Sequence, residues 1–152
     1  MGVTTALLTV EEYAQLPEEE TMGTELVGGK IVRMSDATPI DATILELMKA
    51  NCVEILAGYI RKNPTWKLFS EGAPKLAFEA VSSESAAFLE WKINAYRTTG
   101  FRAIWIAYPS ERTLVTMHPN GKGLHLREGD YLEEPDLLPG FRVLVDRFFD
   151  GI

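Results

Sequence analysis

The stretch Lys75–Lys92, KLAFEAVSSESAAFLEWK, changes its period part-way along. Its first half alternates, so Lys75, Ala77, Glu79 and Val81 share one face of a strand and Leu76, Phe78 and Ala80 the other. Its second half moves to helical spacing, with Leu89, Ile93 and, beyond the stretch, Tyr96 in one apolar stripe and Lys92 between them. Ser82 and Ser83 leave the strand, and either can cap a helix from about Glu84 to Thr99. Gly100 ends that helix as a C-terminal cap. A strand over 76–81 therefore runs through a short turn into a helix. Glu79 is the only acid in the strand, and the Lys92 ammonium is placed to reach back to it.

Working outward, Phe101–Tyr108 (FRAIWIAY) is almost continuously apolar, as a central strand is. Residues 39–62 read as one long helix whose face is Ile44, Leu45, Met48, Cys52, Ile55, Leu56 and Tyr59, stopped at Asn63-Pro64. Trp66–Phe69 reads as a short strand and Gly72–Pro74 as a turn. Near the start, Thr9-Val-Glu-Glu12 is a capping box for a short helix, and Glu18–Glu20 reads as a solvated loop. TELVGGKIVRM (24–34) is a hairpin about Gly28-Gly29. Leu114–His118 and Leu124–Arg127 are strands around Asn120-Gly121, Asp136–Phe141 a tight turn, and Val143–Phe149 the closing segment. Strands and helices mix, with hairpins at both ends. The expected class is α/β (α+β), a mixed sheet flanked by helices, in a single domain over 1–152.

Composition narrows the function classes. The chain has 152 residues, 46% hydrophobic and 24% charged, which suits one globular core. No apolar run approaches the roughly 20 residues a membrane span needs, and the N-terminus lacks a basic signal-peptide start. A cytoplasmic location is the expectation. The single cysteine, Cys52, excludes an internal disulfide and a cysteine-based metal site, and it falls on the apolar helix face. A net charge of −7 disfavours non-specific DNA binding but suits a centre that collects divalent cations.

A carboxylate beside a lysine near a polar loop matches the needs of phosphodiester hydrolysis. The carboxylate holds a Mg²⁺ ion, and the lysine steadies the attacking water or the developing charge. The same two residues equally make a partly buried ion pair that fastens a helix to a strand. Other candidates are thinner. His118 and His125 stand seven residues apart across a hairpin with no nearby acid, and read as surface or strand residues. Ser82-Ser83 has no nucleophile-elbow glycines, and no phosphate-binding loop or dinucleotide fingerprint occurs. Trp66, Trp91 and Trp105 read as core or edge aromatics.

The order of segments adds information. LTVEEYAQLPEE (8–19), TELVGGKIVRM (24–34), GAPKLAFEAVSS (72–83), KINAYRTTGFRAIWIAYP (92–109) and LLPGF (137–141) together resemble the Uma-type endonuclease family of bacteria. That family lies within the PD-(D/E)xK restriction-endonuclease-like superfamily. The resemblance implies a restriction-endonuclease-like mixed sheet flanked by helices, and Mg²⁺- or Mn²⁺-dependent hydrolysis of DNA. It implies that Glu79 and Lys92 are the catalytic pair. It implies further that Glu79, with Glu25 of the N-terminal hairpin and Asp41 at the start of the long helix, would hold the metal.

The chain also departs from that pattern. No counterpart of the family's principal aspartate lies between Trp66 and Gly72. Pro74-Lys75 stands where a Pro-Asp is usual, Asp41 where a histidine is usual, and Tyr108 where an aspartate often precedes proline. Lys75 on the face of Glu79 would compete with a cation for the same carboxylate. Two functions stay open: a metal-dependent endonuclease, and a catalytically impaired member acting as a homodimeric binding or assembly module. A small-molecule binding domain unrelated to nucleic acids is a third class.

Overall fold

The structure, a computed structural model, describes residues 7–22, 24–33, 39–64, 69–70, 73–81 and 86–152. The chain divides into two compact units, Met1–Asp36 and Ala37–Ile152.

In the first unit, helix α1 (Val10–Ala14) starts at the expected capping box, in which Thr9 and Glu12 each accept from the other's backbone N–H. Glu18–Glu20, read as a loop, belongs instead to a single exposed helical turn, α2 (Glu18–Thr21). Pro17 precedes that turn and three acids fill its first positions, where the helix dipole favours negative charge. Strands β1 (Thr24–Val27) and β2 (Lys30–Arg33) pair antiparallel. Gly28 and Gly29 both lie at positive φ, 56° and 79°, as a two-residue hairpin turn of the right twist requires.

In the second unit, α3 (Pro39–Lys62) is followed by the short pair β3 (Phe69–Ser70) and β4 (Ala73–Pro74). Positions 65–68 and 82–85, which include Trp66 and the expected serine caps, lie outside the described residues. A four-stranded sheet then forms in the order β5 (Leu76–Ala80), β6 (Ala103–Tyr108), β7 (Thr113–Met117), β8 (Gly123–Arg127). Strands β5 and β6 are parallel, and the other two pairings are antiparallel. Parallel neighbours need a long crossover, and helix α4 (Ala86–Thr98) provides it. Gly100 takes φ 84° just after that helix, which only glycine adopts readily.

Alternation along the strands decides what lies on each face. Ala77, Ile104 and Ile106 pack against Leu89 and Ile93 of α4. Leu76, Ala80, Ala103, Trp105 and Ala107 face the opposite way, into a larger core with Leu45, Met48, Cys52, Ile55 and Tyr59 of α3. Helices thus cover both faces of a mixed sheet, as the patterning predicts.

The C-terminal segment differs from the sequence reading. Tyr131–Glu134 forms a strand, β9, that was not foreseen, and the segment read as a tight turn lies mostly within strand β10 (Leu138–Leu144). Pro139-Gly140 punctuates like a turn, but here it makes a bulge. The register shifts between Leu138 and Arg142, with Gly140 at φ 78°. A 3-10 helix, Val145–Phe149, follows. Its Phe148 meets Trp105 edge-on at 5.9 Å, while Phe141 of β10 stacks on the same indole at 5.6 Å. Trp105 is fully buried. Such burial stabilises by roughly 1.5–3 kcal/mol for each large apolar side chain. Among the described residues, no helix is long and apolar enough to cross a membrane.

Candidate functional site

Glu79 stands one residue before the end of β5, on the face that meets α4. Its Oε2 accepts from Lys92 Nζ at 3.2 Å, and its Oε1 accepts from the Tyr96 hydroxyl. Lys92 and Tyr96 are one helical turn apart, so both donors project from the same face of α4 onto one carboxylate. The Lys92 side chain is 1% exposed and that of Glu79 12%. An ammonium removed from water to this degree needs a counterion, and Glu79 provides it. The Tyr96 ring is held edge-on by Phe101, 5.0 Å between centroids.

The structure therefore brings together the two residues that the sequence named as a pair, and adds Tyr96. The sequence reading placed Tyr96 in the apolar stripe. Its i+4 spacing from Lys92 was the available signal. Lys75, expected to compete for Glu79, makes no ion pair among the described residues; its backbone carbonyl accepts from Arg102 and Ala103. Tyr108 ends β6, and burial, then the charge of Glu111, raises its phenol pKa. Glu25 sits in β1 of the first unit, opposite Val32. Asp41 lies in the first turn of α3, with its side chain outside the described part of the structure.

A divalent cation takes several oxygen donors. Among the described residues, no three His, Cys, Asp or Glu side chains gather where a metal ion could sit. Glu79 is one carboxylate with both oxygens already engaged. By themselves these described donors do not fit a Mg²⁺ ion.

A second polar cluster lies on the α3 face of the sheet. Glu134 of β9 is 3% exposed. Its Oε1 accepts from Trp105 Nε1 at 2.9 Å, and its Oε2 meets His118 Nε2 at 2.7 Å. His118 Nδ1 faces the Lys122 carbonyl at 3.1 Å. Burial alone would pull the imidazole pKa down. The hydrogen bond and charge of Glu134, with the Lys122 carbonyl and the charge of Asp136, outweigh it, so the net shift is upward. His118 was read as having no nearby acid. It has one, sixteen residues on, in the strand that was not foreseen. His125 is exposed on β8, as expected.

No family model matches this chain, and no curated protein does. A solved structure does match. It is a crystal structure described as a "putative nuclease belonging to DUF820" from Anabaena variabilis, with a TM-score of 0.66 and 16% identity. The match covers 93% of this chain and 97% of that one. The two proteins share a fold.

Proposed function

We propose that this chain is an endonuclease that hydrolyses phosphodiester bonds of DNA at a centre built on Glu79 and Lys92. The observation that carries the reading is the Lys92 ammonium, buried against Glu79 near the end of β5. An ammonium held in a low-dielectric setting stabilises charge developing on a phosphate far better than one in water. The fold shared with a protein described as a nuclease supports the same reading. Mg²⁺ or Mn²⁺ is the proposed cofactor, with Asp41 as a proposed further donor alongside Glu79. Such an ion, when bound, supplies an activated water and neutralises phosphate charge.

The test is cleavage of single- and double-stranded DNA by the full chain with Mg²⁺, Mn²⁺ or a chelator. Expected is metal-dependent cleavage that disappears in Glu79→Ala and Lys92→Ala. Absence of metal-dependent cleavage, or cleavage unchanged by Glu79→Ala, overturns the reading.

A second reading is a non-catalytic homodimeric binding or assembly module that keeps the fold. The engagement of both Glu79 oxygens by α4 favours it, because the carboxylate is satisfied without any ligand. Light scattering that gives a dimer, together with absence of cleavage, supports this reading. A monomer that cleaves DNA removes it.

A further inference from the structure

We infer that a groove between α3 and β10 is a binding site for a phosphate group, held by Lys62, Arg142 and Arg147. The groove has a volume of about 200 Å³ and is lined from α3, from the bulge of β10 and from the 3-10 helix. Helix α3 packs on the sheet face opposite α4, so the groove is separate from the Glu79 cluster.

The chain carries 22 acids against 15 lysines and arginines, yet three cations and one acid, Glu54, line this groove. The Lys62 and Arg147 side chains have no ion-pair or hydrogen-bond partner among the described residues. Arg142 meets Glu133 through Nε at 3.3 Å, with both side chains 58% exposed. That contact is weak enough for a phosphate to compete with it. The Arg142 guanidinium also lies over the Tyr131 ring, 3.6 Å from its centroid, which fixes its plane. Guanidinium groups match paired phosphate oxygens, and a lysine adds a point charge. Lys62 also suits the negative end of α3, but Arg142 and Arg147 come from other elements. Glu54 lies two turns before Lys62 on the same row of α3, about 12 Å along the axis.

The glycines supply an independent observation. Gly58 lies inside α3, where glycine destabilises a helix relative to alanine. A Cβ there would meet nothing within 4 Å, so packing does not require the glycine. Gly140, from the β10 wall, likewise has open space at its Cβ position. These two bare positions keep the groove open. The Tyr59 hydroxyl donates to the Pro139 carbonyl at 2.8 Å and ties one wall to the other, so the groove is formed before a ligand arrives. A phosphate group suited to it comes either from a small phosphate ester or from a nucleic-acid backbone.

The experiment is calorimetric titration of the full chain, at low ionic strength, with inorganic phosphate, glycerol phosphate and a short DNA duplex. The proteins are wild type, Lys62→Gln combined with Arg147→Gln, Gly58→Leu, and Glu54→Gln. Expected is phosphate binding by wild type that weakens about tenfold or more in the double variant. A similar loss is expected in Gly58→Leu, which removes no charge and only fills the groove. Gly58→Leu should also raise the urea midpoint, because leucine favours a helix. Glu54→Gln should tighten binding, since it removes the one acid of the lining. No phosphate binding by wild type, binding unchanged in the double variant, or Gly58→Leu that binds as wild type does, overturns the site. Circular dichroism checks the fold of each variant. Should Gly58→Leu not fold, Glu54→Gln decides in its place, and affinity that does not rise there overturns the site. Glycerol phosphate bound more tightly than inorganic phosphate assigns the group to a small ester. Duplex binding that is lost in the double variant assigns it to a nucleic-acid backbone.

Discussion

Both ring nitrogens of His118 face oxygen acceptors, Nε2 toward Glu134 Oε2 at 2.7 Å and Nδ1 toward the Lys122 carbonyl at 3.1 Å. A carbonyl cannot donate, so Nδ1 carries a proton. A charged Glu134 requires one on Nε2 as well. The imidazolium is the form that satisfies both contacts and neutralises a carboxylate that is 3% exposed. Its raised pKa means that the stabilisation is fully present below the ordinary value of about 6.5. It is lost as pH rises through the folded-state value. Urea midpoints are therefore expected to fall between about pH 6 and about pH 8 in wild type and to stay flatter in His118→Gln. Nuclear magnetic resonance titration of His118 with a midpoint below the ordinary value would contradict this account.

Lys92 and Glu79 are expected to depend on each other. Lys92→Met leaves a carboxylate that is 12% exposed without its counterion, and should cost ~3–5 kcal/mol in chemical unfolding. Combining it with Glu79→Gln should restore much of that loss, because no unpaired charge then remains buried. Losses that simply add across the double-mutant cycle would show that the pair is not coupled.

Gly123 pairs with Met117 at the start of β8. A Cβ there would stand 1.9 Å from the Thr116 carbonyl oxygen, which is backbone and cannot swing aside. Gly123→Ala is expected to separate β7 from β8 locally and to destabilise by ~1–3 kcal/mol or more. Hydrogen exchange at the β8 amides measures the effect directly.

Cys52 lies within the α3 core at 3% exposure, and burial pushes its thiol pKa up to about 12. It should resist thiol reagents near neutral pH in the folded chain and react fully in denaturant. Rapid labelling of the native protein would show that α3 opens far more easily than its packing implies.

How much of this was legible beforehand follows from the kind of signal each element sends. The α4 stripe and the alternation of β5 depend on local spacing, so Glu79 and Lys92 were placed on facing surfaces from sequence alone. The long face of α3 was legible for the same reason. Strand β9 was missed because Tyr131–Glu134 shows a single buried apolar residue, Leu132, beside a buried acid. Glu134 looks solvated until Trp105 and His118 are brought to it by tertiary packing. Strand β10 was hidden by Pro139-Gly140, whose local preference is a turn and whose actual role is a bulge. Tyr96 was seen as an apolar ring, since spacing carries no information about where a hydroxyl points.

The Glu79, Lys92 and Tyr96 cluster is contained in one excursion of the chain, from β5 out along α4. Its two hydrogen bonds on the carboxylate both come from that helix. Such a pair has a reason to persist that does not depend on any chemistry. Changing either member alone would strand the other inside the fold. Selection for folding alone is enough to preserve Glu79 and Lys92.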